Sequence, residues 1–170
     1  MALLHHIDVD VLRAAFLSLK KRAAPEIDQV TWDQYAADLE GHLQNLHGRV
    51  QRGAYRALPS RRRMIPKADG KQRPLGIAAI EDKIVQAAVV IILTPIYEAE
   101  FLGFSYGFRP GRGQHDALDA LAYGIKGRNV RWIFDTDIRS FFDHISHGWL
   151  IRFVEHRIYD SGSSASSRNG

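Results

Sequence analysis

The sequence contains no cysteine, which excludes disulfide scaffolds and zinc sites built on thiolates. It has no run of about 18 apolar residues that would span a membrane, and no apolar stretch of signal-peptide type near its start. No two histidines have the HExxH spacing of zinc hydrolases. These absences favour a cytoplasmic protein without a membrane partner.

The composition is 45% hydrophobic and 25% charged over 170 residues, which is typical of one globular domain with a buried core. The formal net charge is +4, but it is unevenly distributed. Residues 49–73 contain nine lysines or arginines and one acid, Asp69, so the rest of the chain is net negative. Such a basic patch indicates a polyanion partner, most simply a nucleic acid, and a solvated basic face is the alternative.

An acidic motif lies in a segment that is otherwise suited to burial. Val130 to Ile138 is rich in β-branched and aromatic residues, which predicts a strand in which Asp135 and Asp137 share a face. A buried carboxylate is costly unless it is paired or binds a cation, and Mg²⁺ prefers oxygen ligands. The motif therefore suggests phosphoryl transfer, and a strand end with two solvated aspartates is the alternative.

Hydrophobic periodicity predicts five helices. They cover residues 8–22, 31–52, 81–94 and 113–125 and the segment that follows Ser146. Thr31 and Gln34 have the spacing of a capping box, and Pro95 is predicted to end the third helix.

Arg61 to Ile77 is predicted to form two strands joined at Asp69-Gly70, a basic hairpin. From Ser161 onward the composition becomes serine-rich and polar, which predicts disorder.

Four segments follow one another in a particular order: Arg63-Met-Ile-Pro-Lys-Ala-Asp-Gly-Lys-Gln-Arg-Pro-Leu-Gly-Ile77, Glu81-Asp-Lys-Ile-Val-Gln86, Ser105-Tyr-Gly-Phe-Arg-Pro-Gly-Arg112 and Asp135-Thr-Asp-Ile-Arg-Ser-Phe-Phe-Asp143. Together they resemble group II intron-encoded reverse transcriptases, and the resemblance covers residues 24–158. It implies an α+β fold, namely a helix-rich fingers lobe with a basic β-hairpin plus the first strand of a reverse-transcriptase palm, as in a truncated right-hand polymerase. The implied divisions are an N-terminal helix (1–23), fingers (24–128), the start of the palm with the first catalytic motif (129–158) and a disordered tail outside the family pattern (159–170).

The resemblance also implies roles for individual residues. Asp137 would be catalytic and would bind Mg²⁺ together with the backbone carbonyl of Ile138, whereas Asp135 occupies a variable family position. Lys67 and Arg73 would contact the triphosphate of a deoxynucleotide (dNTP), and Phe142 would lie under its sugar. Template RNA would be bound by Arg61, Arg62, Arg63, Arg109, Pro110, Arg112 and His115.

Some residues depart from the family pattern. The family requires a Tyr-x-Asp-Asp motif to complete a two-metal site, and these residues contain no Asp-Asp dipeptide. Glu26, Gln29 and Ser140 stand where glycine is expected.

The expected function is that of an N-terminal fragment of an RNA-directed DNA polymerase and maturase, a nucleotidyltransferase by family. Its partners would be intron RNA as template, primer DNA and dNTP, and it would be inactive alone because its Mg²⁺ site is incomplete. The exposed palm edge predicts self-association. The alternative is a stand-alone RNA-binding module without chemistry, and a nuclease built from Asp135, Asp137 and Asp143 matches no known spacing.

Overall fold

The computed structural model describes residues 4–21, 28–66, 70 and 72–166, with side chains as far as Ile158. The chain divides into two compact units, Met1–Ala99 and Glu100–Gly170. In the described part of the chain, no helix combines the length and the apolar character that crossing a membrane requires.

Among its described residues, the first unit contains four α-helices and the two strands of a hairpin. They are α1 (Val9–Ser18), α2 (Trp32–Ala36), α3 (Leu39–Gln51), β1 (Arg61–Pro66), β2 (Gln72–Ile77) and α4 (Ile80–Glu98), after a short 3-10 helix at Leu4–His6. The two strands pair antiparallel with each other, as the sequence predicts. Gly70 in the turn has a φ of +78°, which glycine adopts without strain. The predicted position of Asp69 lies outside the described residues.

Side-chain caps mark the starts of α1 and α2. The Asp8 side chain accepts a hydrogen bond from the Val11 N–H at 2.8 Å and is the N-cap of α1. The predicted capping box is confirmed: Gln34 N–H donates to the Thr31 hydroxyl oxygen at 3.3 Å, and Thr31 N–H donates to the Gln34 side chain at 2.8 Å.

The single helix predicted from Thr31 to Gly53 is broken into α2 and α3. Asp38 has φ −132° and ψ 56°, which are not helical values, and it stands at the N-cap of α3. The Tyr35 carbonyl lies before the break and accepts a hydrogen bond from the ring nitrogen Nδ1 of His42 at 3.0 Å, so it keeps a hydrogen-bond partner across the break. At the far end, Gly53 has a φ of +66° and ends the second segment as predicted.

The core of the first unit is formed where α1 packs against α3 and α4. Phe16 of α1 is fully buried, and its ring stacks on Trp32 with centroids 4.6 Å apart. The remaining buried apolar residues of the helices are Leu12, Ala15, Tyr35, Leu43, Leu46, Val50, Ile80, Ile84 and Ala88.

The prediction that Pro95 ends α4 is wrong, because the helix continues to Glu98. A proline inside a helix removes one backbone donor and crowds the preceding turn. Here the proline lies in the last turn, so few helical hydrogen bonds follow it, and Ile92 of the preceding turn packs against the core. The helix therefore continues for three residues past the proline that was predicted to end it.

The second unit contains α5 (Gln114–Gly127), a 3-10 helix at Phe141–His144, and α6 (His147–Ser166). α5 lies within two residues of its predicted bounds, and Ser146 precedes α6 as predicted, with its hydroxyl 3.5 Å from the Trp149 nitrogen. α6 continues past residue 158 to Ser166, through part of the segment for which disorder is predicted. Residues 167–170 of that segment lie outside the described residues.

The predicted strand from Val130 to Ile138 is not formed. Residues 130–138 have no regular secondary structure, and all of them are exposed. A strand exists only when its backbone groups pair with a neighbour, and in the described part of the chain β1 and β2 pair with each other alone. The fold is therefore mixed helix plus a two-stranded antiparallel sheet, without the palm strand that we expected.

Candidate functional site

The basic hairpin carries its arginines on two faces. In the β1–β2 register, Arg61 lies opposite Ile77, Arg63 opposite Leu75, and Ile65 opposite Arg73. Residues directly opposite in an antiparallel pair share a face, and alternate residues of a strand do too. Arg61, Arg63 and Arg73 therefore lie on one face, which we call the three-arginine face, and Arg62 lies on the other.

Most of the hairpin is exposed, including all four arginines. Cations held in water at a fixed spacing can bind phosphates, and their interaction energy falls with added salt. Lys67, the other predicted triphosphate ligand, lies outside the described residues.

The predicted template segment is a loop organised by two arginines. Arg109 is only 8% exposed, and its Nη1 donates to the carbonyls of Leu102 and Ser105 at 3.0 and 2.9 Å. Its guanidinium also lies 4.9 Å from the ring centre of Phe101. Buried bonds of this kind make Arg109 a support of the loop itself.

Arg112 is half-buried and contributes to the same loop. Its Nη1 donates to the Gly103 carbonyl at 2.6 Å, and its guanidinium lies 5.4 Å from the Tyr106 ring centre. Pro110 and His115 are exposed, and His115 belongs to the first turn of α5. The loop thus leaves Pro110 and His115 facing solvent, while both arginines bond to its backbone.

The acidic motif surrounds a cavity of about 650 Å³ in the second unit. It is lined by Thr136, Asp137, Ile138, Ser140, Phe141, Phe142 and Asp143. The structure thereby brings together Asp137, Ile138 and Phe142, three of the residues assigned by resemblance. Phe142 is 81% exposed and packs edge-on against Phe141 with ring centres 5.3 Å apart, so it is not a core aromatic residue.

The donor set of this cavity suits part of a Mg²⁺ site. The Asp137 and Asp143 carboxylates and the Ile138 carbonyl are hard oxygen donors, which Mg²⁺ prefers. Among the residues that the structure describes, no group of three His, Cys, Asp or Glu side chains could enclose a metal ion. The cavity therefore offers a partial ligand set, with Asp135 outside its lining.

A buried acid in the first turn of α4 was not predicted. Asp82 is 3% exposed and accepts hydrogen bonds from the Tyr55 hydroxyl and, at 3.1 Å, from the Leu58 N–H. Burial, followed by the bond to Asp82, raises the pKa of the Tyr55 hydroxyl far above its usual value. The segment Glu81-Asp-Lys-Ile-Val-Gln86 contributed to the resemblance, but an aspartate within an apolar helix was the only sequence signal for this role.

Comparison with known proteins gives a family match and several relatives. The family model described as "Reverse transcriptase (RNA-dependent DNA polymerase)" matches residues 65–165. "Protein YkfC" of Escherichia coli is 39% identical over 148 residues, which cover 85% of this chain and 39% of that protein. "Group II intron-encoded protein LtrA" of Lactococcus lactis is 34% identical over 152 residues, covering 89% of this chain and 25% of that protein.

A plant relative is also named as an intron protein. "Nuclear intron maturase 1, mitochondrial" of Arabidopsis thaliana is 32% identical over 65 residues, covering 38% of this chain and 9% of that protein. The chain spans about two fifths of the first of these relatives and a quarter of the second.

Proposed function

Because the chain belongs to the reverse transcriptase family, among the group II intron reverse transcriptases and maturases, we propose that it binds template RNA and a deoxynucleotide for RNA-directed DNA synthesis. The observation that carries the proposal is the cavity shared by Asp137, Ile138 and Phe142. It lies within the residues that the family model matches.

In this proposal each cavity residue has a defined part. The Asp137 carboxylate and the Ile138 carbonyl would hold Mg²⁺, and Phe142 would lie against the deoxyribose. When bound, Mg²⁺ supplies Lewis-acid activation of the primer hydroxyl and neutralises charge on the phosphates. The protein's own contribution is to place an oxygen donor and an aromatic surface on one cavity wall, which orients the nucleotide.

The three-arginine face supports the nucleic-acid half of the proposal. Arginine donates paired hydrogen bonds to phosphate oxygens, and exposed cations at fixed spacing give affinity without base readout. Arg73 would contact the triphosphate, while Arg61 and Arg63 would contact template phosphates, with primer DNA and intron RNA as the natural ligands. Lys67 is proposed as a second triphosphate ligand from the sequence motif alone.

We propose further that these 170 residues do not extend a primer by themselves. They hold no Asp-Asp dipeptide, so the carboxylates of a second palm motif are not among them. A two-metal site needs more carboxylate ligands than Asp137 supplies.

The test measures dNTP binding and primer extension by the purified chain with an RNA template and a DNA primer. Binding of a fluorescent dNTP in Mg²⁺ should weaken at least tenfold in Asp137→Asn, and Asp119→Asn, an exposed aspartate of α5, is the matched control. Primer extension should be absent in all variants. Equal dNTP affinity in wild type and Asp137→Asn would refute the nucleotide site, and extension by the wild-type chain would refute its inactivity.

A stand-alone RNA-binding module is the second candidate. It is favoured by one observation, that β1 and β2 pair in register and place Arg61, Arg63 and Arg73 on one exposed face. RNA binding that is unaffected by both Mg²⁺ and dNTP would support this module over the polymerase site.

A further inference from the structure

The side chain of Asp82 is buried, and the desolvation of a buried carboxylate costs free energy that its hydrogen bonds must offset. It lies in the first turn of α4, and one of its oxygens accepts the Tyr55 hydroxyl. The other accepts the backbone N–H of Leu58 at 3.1 Å. Both bonds reach the segment between α3 and β1, so Asp82 joins that segment to α4.

Tyr55 is itself held by Arg49 of α3. Its backbone N–H donates to the Arg49 carbonyl at 3.0 Å, and the Arg49 guanidinium lies 6.0 Å from its ring centre. The same guanidinium bonds to Glu81 at 2.6 Å, which links α3 to α4. Arg49 of α3, which is itself bonded to Glu81 of α4, thereby positions Tyr55 beside Asp82.

Apolar packing does not hold the chain between Tyr55 and β1. Residues 56–64 are all exposed, and Leu58 itself is 53% exposed. The amide of Leu58 is anchored, and only Pro59 and Ser60 lie between Leu58 and Arg61, where β1 begins. The other arm, β2, ends at Ile77 and enters α4 through Ala78 and the buried Ala79. Both arms of the hairpin are therefore fixed to the same end of α4.

We propose that Asp82 is a positioning residue that sets the orientation of the three-arginine face relative to the helices of the first unit. This inference rests on the proposed function, in which that face binds phosphates. When the Leu58 anchor is lost, the hairpin keeps only its attachment to α4 through β2, and fixing its orientation on RNA then costs free energy that the wild type does not lose.

Spin labels measure the orientation without any ligand. The chain has no cysteine, so Leu17→Cys in α1 and Met64→Cys in β1 give one labelled pair on two exposed sites. Double electron–electron resonance gives the distribution of distances between the two labels, and Asp82→Ala should broaden this distribution. Asp82→Asn should keep it narrow, because an amide can still accept from Leu58 and donate to the Tyr55 oxygen.

The matched control is Glu40→Gln, which removes the ion pair and one of the two hydrogen bonds between Glu40 and Arg13, which join α1 and α3 away from the hairpin. It should leave the distribution narrow. A narrow distribution in Asp82→Ala, or equal broadening in Glu40→Gln, would overturn the inference. If Asp82→Ala does not fold, Asp82→Leu, which has a similar volume but accepts no hydrogen bond from the Leu58 N–H, replaces it: broadening supports the proposal and an unchanged width overturns it.

RNA affinity of the unlabelled chain completes the test. Asp82→Ala should bind RNA about tenfold more weakly than wild type, with Asp82→Asn close to wild type, because the lost anchor has the strength of a hydrogen bond to a charged group. If no variant binds RNA, wild type included, the proposed function fails while the distance measurement still decides the role of Asp82. Equal RNA affinity in wild type and Asp82→Ala, with RNA bound to both, would overturn the positioning role.

Discussion

At the scale of single residues, positive φ angles strain the backbone of residues other than glycine. Gln29 has a φ of 57° and Ser140 a φ of 51°, both in the left-handed region where side chains are disfavoured. These are two of the positions at which the family pattern leads us to expect glycine. The two departures from the pattern thus keep a backbone shape that glycine would adopt without strain.

Gln29→Gly should stabilise the chain by about 0.5–1 kcal/mol. Left-handed backbone costs an ordinary residue about 1–2 kcal/mol, and the extra freedom of glycine in the unfolded chain offsets part of the gain. Urea denaturation followed by far-UV circular dichroism measures the change. Gly53→Ala, where φ is +66°, is the opposite control and should destabilise. Destabilisation by Gln29→Gly would contradict the strain at this position.

Two tyrosines make the first unit sensitive to alkali. Burial raises the pKa of Tyr35 and of Tyr55, and the bond to Asp82 adds to the effect at Tyr55. Their folded forms therefore retain the proton above pH 10, where an unfolded tyrosine loses it. This contribution to the free energy of unfolding is complete below pH 10 and is lost progressively as the pH rises above it.

Stability should therefore fall above pH 10, and the double variant Tyr35→Phe/Tyr55→Phe should lose less of it than wild type. Urea midpoints at pH 8, 10 and 11 measure the difference. Tyr123→Phe is the control, because that ring is 82% exposed. Equal alkaline losses in wild type and the double variant would show that neither hydroxyl is protected by folding.

At the scale of elements, strand register decides which cations act together. Arg61, Arg62 and Arg63 are consecutive, yet only the first and third share a face with Arg73. Each cation that neutralises a phosphate adds about 0.7–0.9 to the slope of log affinity against log salt concentration. The slope therefore counts the phosphate contacts of the hairpin.

Arg61→Gln, Arg63→Gln and Arg73→Gln should each weaken binding to RNA and lower that slope by about 0.7–0.9. Arg62→Gln, on the opposite face, should leave the slope close to wild type. Fluorescence anisotropy with a labelled RNA over several salt concentrations gives both values. Equal effects of all four substitutions would mean that the hairpin binds as a diffuse charge without a preferred face.

At the scale of the whole molecule, the two units bury very different amounts of apolar surface. All the buried apolar side chains of the described residues belong to the first unit. In the second unit, large side chains remain exposed, with Trp132 at 91% and Phe134 at 89%. An exposed apolar segment of high β-propensity is a site for association with another chain.

The chain should therefore self-associate as its concentration rises. Light scattering coupled to gel filtration should show an increasing mass, and Trp132→Ser/Phe134→Ser should reduce the increase. Leu17→Ser is the control, since it removes an exposed leucine of the first unit. A constant monomer mass for the wild type at all concentrations would contradict this prediction.

Local patterns predicted much of the first unit. The capping box at Thr31, the hairpin between Arg61 and Ile77, and the end at Gly53 depend on neighbours close in the chain, and all three are confirmed. Hydrophobic periodicity did not predict the break at Asp38, where the backbone leaves helical values, or the continuation of α4 past Pro95 to Glu98. The strand at Val130 failed for a related reason, because a strand needs a pairing partner that its own residues cannot specify.

The sequence by itself determined the family and the basic hairpin, because ordered motifs and short-range turn chemistry are written in consecutive residues, and it supplied the proposal for Asp137, Ile138 and Phe142. Only the tertiary structure decided that Arg61, Arg63 and Arg73 share a face, that Arg109 supports its own loop, and that Asp82 joins the hairpin segment to α4. The shared face of the arginines depends on strand register. The hydrogen bonds of Asp82 join residues 24 or more positions apart, and the local sequence contains no direct signal of such long-range contacts.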